Sequence, residues 1–175
     1  MRKSRAFKLL ANVCRLILAC TFIVSGFTKV IDPWGTAMKV NEYLSIYGME
    51  SLQGASMAFS IWLCGAEMMM GCMLLFKVRI RLISIFAVLS MLFFTALTLL
   101  SATVIPVEDC GCFGDAWVLT NWETFAKNIV LLLAAIATFQ WRKMLIRFVT
   151  RKMEWLISLY TIFFVFTLSF YCLDR

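Results

Sequence analysis

The sequence lacks several residue types and segments, and each absence narrows what the protein can be. Its 175 residues include no histidine. Beyond Cys110 and Cys112, no connecting segment offers a second pair of closely spaced cysteines, so a zinc site is not expected. No Pro/Gly/Ser-rich linker, internal repeat or low-complexity tract divides the chain. We therefore predict a single domain that covers residues 1–175.

Apolar residues, in contrast, are in large excess. They make up 62% of the chain and give a mean hydropathy of +0.87, whereas a soluble domain is roughly half apolar. Five apolar runs are long enough to cross a bilayer, at about residues 10–31, 57–76, 82–104, 122–141 and 155–172. The sequence therefore predicts an all-α integral membrane protein, too short to carry a soluble catalytic domain as well.

The segment between the first two runs, residues 34–57, is of mixed polarity. Asp32 and Pro33 are expected to end the first helix, because proline disfavours helical geometry in the residue before it and lacks an amide donor. Four apolar residues then recur at helical spacing, namely Ala37, Val40, Leu44 and Tyr47. This pattern predicts a short amphipathic helix that lies along the membrane interface.

Basic residues are concentrated in alternate connecting segments. Of the 17 Lys and Arg residues, 13 lie, with one acid, in segments 1–15, 77–81 and 142–154. Four basic residues and eight acids lie in segments 29–56, 105–128 and 173–175. By the positive-inside rule, the amino terminus is cytoplasmic and the carboxyl terminus lies outside. Because the basic residues flank apolar runs, the net charge of +7 predicts membrane orientation, and we expect no nucleic-acid partner.

The outward-facing connection between the third and fourth runs holds a short cysteine motif, Asp109-Cys110-Gly111-Cys112-Phe113-Gly114-Asp115. A disulfide closed across one residue forms a small, strained ring, and strain makes a disulfide more oxidising. Gly111 supplies the backbone freedom that such a ring needs. These features favour thiol–disulfide exchange, although the neighbouring acids argue against a highly reactive thiolate at rest. The alternatives are a structural role, which could involve Cys172, and metal or lipid attachment.

Polar residues inside the predicted spans are candidates for supporting roles. Glu67 lies near mid-membrane, where a carboxylate must be neutral, paired or turned inward. It could carry protons for thiol exchange, hydrogen-bond a quinone or clamp helices together. Asn128 requires an interhelical partner, so we place it on the bundle-facing side with Glu67. Lys29 and Lys127 lie near the outer ends of their spans, where snorkelling to the interface accounts for them.

The other sulfur-containing residues within the spans are interpreted as packing residues. Buried cysteines in helices usually act as small apolar side chains, and this applies to Cys14, Cys20, Cys64 and Cys72. Cys64 is the exception to consider, because it is nearer the outer face and could resolve a disulfide with the loop. The run of three methionines at 68–70 could suggest copper, but we expect soft packing at a helix interface.

Taken together, several of these residues resemble the MauE branch of the DoxX-like membrane proteins. The resemblance covers roughly residues 9–141 and depends mostly on the CGCFG loop. The matching residues are Arg15, the run Ser25-Gly26-Phe27-Thr28-Lys29, Asp32, Pro33, Trp62, Glu67, Gly71, the loop Cys110-Gly111-Cys112-Phe113-Gly114 and Asn128. The resemblance implies a four-helix bundle in a bacterial inner membrane, which the last apolar run extends by a fifth helix.

The same resemblance implies a link to exported thiol proteins. The MauE branch is associated with methylamine utilisation, where it is connected with disulfide formation in the periplasmic small subunit of methylamine dehydrogenase. DoxX-like relatives include a subunit of a thiosulfate:quinone oxidoreductase. Nothing in the sequence points to methylamine as a substrate of this chain.

We therefore expect a thiol–disulfide redox component embedded in the bacterial inner membrane. Cys110 and Cys112 are the predicted exchanging pair on the periplasmic side, and Glu67, Asn128 and Lys29 are the predicted supporting residues. The expected partner is an exported, thioredoxin-like thiol protein, and a quinone is the candidate cofactor. Three other functions stay open: an assembly or anchoring subunit with a structural loop disulfide, a quinone-linked oxidoreductase subunit, and a small transporter that uses Glu67.

Overall fold

The computed structural model describes residues 2–103, 120–145, 149–150 and 153–173. Within these ranges the chain forms no strand and six α-helices, which are α1 (Arg2–Ile31), α2 (Pro33–Ile46), α3 (Ser56–Phe76), α4 (Ile80–Thr103), α5 (Asn121–Gln140) and α6 (Met153–Leu173). Two 3₁₀ helices, Glu50–Ala55 and Arg142–Met144, follow α2 and α5. All of these α-helices except α2 contain a segment long and apolar enough to cross a membrane. The prediction of an all-α membrane protein is confirmed.

The boundary between α1 and α2 lies at Asp32 and Pro33. The Asp32 carboxylate accepts a hydrogen bond from the Gly35 amide at 2.9 Å and caps α2. Pro33 occupies the first position of α2. An amide at this position has no acceptor within the helix, so the missing donor of proline removes no helical hydrogen bond. α1 begins at Arg2, earlier than the sequence predicts for the first span. α2 lies in the segment predicted to be amphipathic, and its first turn is buried against α3.

α1 and α3 pack antiparallel, and two glycines allow their backbones to come close. A Cβ atom at Gly26 would lie 2.7 Å from the Met68 amide nitrogen. A Cβ atom at Gly71 would lie 2.7 Å from the Ile23 amide nitrogen and 2.9 Å from the Ala19 carbonyl oxygen. Any larger residue at these positions would force the two helices apart. The register of α1 against α3 is therefore set by contacts that small residues permit.

α4 and α5 form a second antiparallel pair. Thr120 and Glu123 make a capping box at the start of α5, in which the Glu123 carboxylate accepts from the Thr120 amide at 3.1 Å. The Asn121 side chain donates to the Ser101 carbonyl oxygen at 3.3 Å and holds the end of α4 against the start of α5. Thr103 and Thr120 flank the connection that contains Cys110 and Cys112, so this connection begins and ends on one side of the bundle.

The basic segments meet at the opposite end. The rings of Phe7 on α1 and Trp141 after α5 lie 5.5 Å apart. Lys77, in the turn between α3 and α4, donates to the Leu145 carbonyl oxygen. The Arg79 guanidinium lies 5.1 Å from the centre of the Trp155 ring on α6. α6 packs on α3 and α1 and presents most of its apolar side chains outward.

Candidate functional site

A buried ion pair joins α1 to α3. Glu67 is 2% exposed, and its two carboxylate oxygens accept hydrogen bonds from Lys29 Nζ at 2.6 and 2.8 Å. Ser25 Oγ also donates to the carboxylate, at 2.8 Å. Ser25 and Lys29 are four residues apart, so both project from the same face of α1. Of the three states expected for Glu67, which were neutral, paired or turned inward, the structure shows a buried carboxylate paired with Lys29. We call Ser25, Lys29 and Glu67 the buried polar cluster.

The snorkelling interpretation of Lys29 is wrong. The residue is 3% exposed, and Nζ lies 5.4 Å from the centre of the Phe94 ring on α4. The physical reason is the carboxylate of Glu67, which would be a costly uncompensated charge in the apolar interior. An ammonium within hydrogen-bonding distance removes most of that cost. The Lys29 ammonium is therefore stabilised more by the Glu67 carboxylate inside the bundle than it would be by water at the membrane interface.

Asn128 lies on the bundle-facing side of α5, where the sequence predicts it. The residue is 3% exposed. Its side-chain amide donates to the Phe94 carbonyl oxygen and to Thr98 Oγ1, both at 3.4 Å. Asn128 therefore joins α5 to α4 at the level of the Phe94 ring that contacts Lys29.

The buried polar cluster and Asn128 line one small cavity of about 30 Å³. Its polar lining residues are Thr21, Ser25, Lys29, Glu67, Lys127 and Asn128. A water molecule needs roughly 10–15 Å³ and two to four polar partners, so the cavity has room and partners for one. A carboxylate, two ammonium groups, hydroxyls and an amide therefore surround a space of this size.

The cluster lies deep in the bundle. At a rise of about 1.5 Å per residue, Asn128 is about 10 Å from the start of α5, and Glu67 is about 16 Å from the start of α3. Both helix starts lie on the side of the bundle where the Cys110/Cys112 connection begins and ends. These distances are about a third and about half of a hydrocarbon core of roughly 30 Å, and the mid-membrane position of Glu67 stays a prediction.

Cys110 and Cys112, the predicted exchanging pair, lie outside the described residues. The five described cysteines are free thiols, namely Cys14, Cys20, Cys64, Cys72 and Cys172. Cys64 is 1% exposed and lies one turn before Glu67 on α3, and its proposed reaction with the loop stays a prediction. Over the described ranges, no three potential Cys, Asp or Glu ligands come together around a common point. Met68 and Met70 are buried packing residues.

Sequence reasoning did not assign a role to Ser25 and explained Lys127 by snorkelling alone. The spacing of four residues between Ser25 and Lys29 was the available signal for Ser25, because it places a hydroxyl beside a charged group. Lys127 is half-buried and lines the cavity. No sequence pattern predicts that contact, since it depends on how α5 packs against α1.

The family model described as methylamine utilisation protein MauE matches residues 7–140. The chain belongs to the MauE family. The resemblance expected from the sequence is thereby confirmed. The MauE region includes the buried polar cluster, Asn128 and the Cys110-Gly111-Cys112 segment, and it ends before α6. No match was found among curated proteins or among solved structures.

Proposed function

We propose that this MauE-family protein is a thiol–disulfide redox component of the bacterial inner membrane that acts on an exported, thioredoxin-like protein through Cys110 and Cys112. The observation that carries the proposal is the family match, which spans both the cysteine segment and the buried polar cluster. The concentration of basic residues in alternate segments supports a cytoplasmic amino terminus and a periplasmic cysteine loop.

The proposed exchange has two steps. A thiolate of the partner attacks one sulfur of the Cys110–Cys112 disulfide, which forms a mixed disulfide and releases the other cysteine as a thiolate. A second partner thiolate then attacks the mixed disulfide, so the partner leaves with a disulfide and the loop keeps two thiols. Two electrons pass from the partner to the loop. A quinone is the acceptor class that we propose for them, taking up two electrons and two protons.

In this proposal, the buried polar cluster and Asn128 support the loop. Glu67 and Lys29 join α1 to α3, and Asn128 joins α5 to α4. α4 and α5 flank the cysteine connection, so the Asn128 contact holds together the two helices from which the loop extends. The carboxylate and its cavity also provide a site that can accept a proton. Lys29, Glu67 and Asn128 are therefore proposed positioning and proton-handling residues, while Cys110 and Cys112 carry the chemistry.

Replacement of Cys112 by serine tests the exchange. Cys110 is then a lone thiol that can attack the disulfide of an oxidised partner, which forms a mixed disulfide and releases one partner thiolate. The adduct persists because Cys112, which would displace the partner from Cys110, is replaced. We expect a reductant-sensitive adduct with an exported protein, detected by non-reducing electrophoresis and identified by mass spectrometry. The matched control is Cys20→Ser, which replaces an exposed cysteine on α1 and should trap nothing.

Two results would refute the redox proposal. One is an absence of any Cys110-linked adduct together with unchanged oxidation of exported thiol proteins in the Cys112→Ser strain, which would favour the assembly or anchoring role. The other is labelling of Cys110 from the cytoplasmic side by a membrane-impermeant maleimide. For the labelling experiment, Cys110 is kept as the single cysteine of the chain.

A further inference from the structure

A second, much larger space borders the buried polar cluster. It is a cleft of about 490 Å³ between α2, α3 and α4, within the roughly 300–1,000 Å³ of small-molecule sites. Phe59 on α3 and Phe93 on α4 line it and are at least half exposed. Both residues belong to segments long and apolar enough to cross a membrane. The cleft is therefore open to a lipid-soluble molecule that arrives from the bilayer.

Aromatic rings from three helices line the cleft. Tyr43 and Tyr47 are on α2, Phe59 is on α3, and Phe93 and Phe94 are on α4. Aromatic side chains pack against another flat ring in offset or edge-on arrangements, and such pairs gain energy beyond the burial of their area. The lining of the cleft therefore suits a ligand with a planar ring.

The inner end of the cleft is polar. Lys29 lines both the cleft and the cavity beside Asn128, whereas Glu67 lines the cavity and not the cleft. The ion pair, with its charged atoms 2.6 Å apart, therefore presents its ammonium end to the cleft. Because the opposite charges of the pair largely cancel, this end acts as a positive dipole end and not as a free charge. A neutral ligand with carbonyl oxygens matches it.

The outer end of the cleft lies close to the start of the cysteine connection. Leu100 on α4 lines the cleft, and Thr103, the last residue of α4, lies about 4.5 Å further along the helix axis. Tyr43 and Ser101 share a hydrogen bond of 3.1 Å between their hydroxyl oxygens, which joins α2 to α4 at this level. The wall of the cleft therefore extends to within one helical turn of the connection that carries the two loop cysteines.

We propose that this cleft is the binding site of the quinone that accepts electrons from the loop. Its ring lies among the aromatic side chains, one carbonyl oxygen faces Lys29, and its apolar tail passes Phe59 and Phe93 toward the bilayer. The inference rests on the proposed function, which names a quinone as the electron acceptor, and adds where it binds. In the overall step, Cys110 and Cys112 lose their two S–H bonds and form one S–S bond. The two electrons and two protons reduce the quinone to a quinol, which gains two O–H bonds.

Photolabelling with an azido derivative of decylubiquinone tests the binding site. The full-length protein is used in micelles of a neutral sugar detergent, with Cys110 and Cys112 both replaced by serine so that no redox reaction takes place. We expect saturable labelling of peptides from α2, α3 and α4 that line the cleft, located by mass spectrometry. An excess of decylubiquinone should prevent the labelling, and the same concentration of oleate should not.

Two variants probe the two ends of the site. Ala96→Phe places a ring in the cleft from α4 and should weaken binding by about tenfold or more, since it fills space that the quinone needs. The matched control Ala126→Phe adds the same ring at an exposed position on α5 and should change nothing. The double variant Lys29→Met/Glu67→Leu removes the dipole at the inner end and should weaken binding by about tenfold. Circular dichroism checks that each variant keeps its helices.

Four labelling results would overturn the inference. They are protection by oleate equal to that by decylubiquinone, adducts that lie outside the lining of the cleft, equal labelling of Ala96→Phe and Ala126→Phe, and unchanged labelling of the double variant. Since these measurements contain no loop cysteine, each of these results leaves the thiol–disulfide proposal intact.

The electron-transfer step is measured separately. With both loop cysteines present and reduced, the protein should convert decylubiquinone to its quinol, and Ala96→Phe should slow the conversion. Specific labelling without any conversion would overturn the assignment of the bound quinone as electron acceptor. Failure to trap a partner with Cys112→Ser, in contrast, counts against the thiol–disulfide proposal and does not alter the labelling, so the two failures are distinguishable.

Discussion

The Lys29–Glu67 pair permits a quantitative test of the fold. Two unit charges at the observed 2.6 Å attract each other by about 6 kcal/mol at an effective dielectric constant of about 20. Desolvation costs several kcal/mol per ion, so the net stabilisation by the intact pair is small. Removing one partner is different, because the other charge then stays buried without its counterion. We expect Lys29→Met or Glu67→Leu alone to lower the free energy of unfolding by about 3–5 kcal/mol.

The double variant Lys29→Met/Glu67→Leu should behave differently from either single variant. It replaces both charges by apolar side chains of similar size, so its stability should lie within about 1–2 kcal/mol of the unaltered protein. The hydroxyl of Ser25 then loses the carboxylate but can donate to the carbonyl oxygen one turn earlier on α1. A coupling energy of several kcal/mol between the two substitutions is the expected signature of the pair.

Reversible unfolding in mixed micelles, with dodecyl sulfate as denaturant and circular dichroism as readout, measures these differences. Lys143→Met, at an exposed position, is the control and should change stability by less than about 0.5 kcal/mol. The reasoning is refuted if each single variant costs less than about 1 kcal/mol. It is equally refuted if the cost of the double variant equals the sum of the two single costs, since the charges would then not interact.

Two further predictions concern helix packing and helix capping. Gly71→Ala places a Cβ atom 2.7 Å from the Ile23 amide nitrogen and should destabilise the protein by about 1–3 kcal/mol. The control Gly54→Ala has no atom within 4 Å of the added carbon and should have little effect. A similar loss of stability in both variants would contradict the packing argument. Thr120→Ala removes the capping box of α5 and should cost about 1 kcal/mol. Dodecyl sulfate unfolding measures each value, and an unchanged midpoint for Thr120→Ala would show that the cap does not contribute.

The helical content of this chain could be predicted with little ambiguity. Within a bilayer, backbone donors and acceptors have no water to bond, so each long apolar run of a membrane protein must satisfy them internally as a helix. The break at Asp32 and Pro33 was equally predictable, because proline cannot continue a helix from the residue before it. The inward orientation of Glu67 and Asn128 followed from the cost of leaving polar groups in lipid.

The partner of Glu67 was beyond sequence reasoning. Lys29 is 38 residues away in the chain, and its position near a helix end made contact with the interface an equally reasonable expectation. Which cation reaches Glu67 depends on the register of α1 against α3, and that register depends on the close approach of the backbones at Gly26 and Gly71.

The amino-acid sequence by itself determined that the chain forms membrane helices, where the first of them ends, and that a cysteine pair lies between two of them. Only the tertiary structure decided that Ser25, Lys29, Glu67 and Asn128 share one cavity and that Tyr43 of α2 forms a hydrogen bond with Ser101 of α4. The physical reason is that these helices are apolar on nearly every side. Hydropathy therefore specifies that a helix enters the membrane, whereas interhelical packing selects which face of each helix contacts its neighbours.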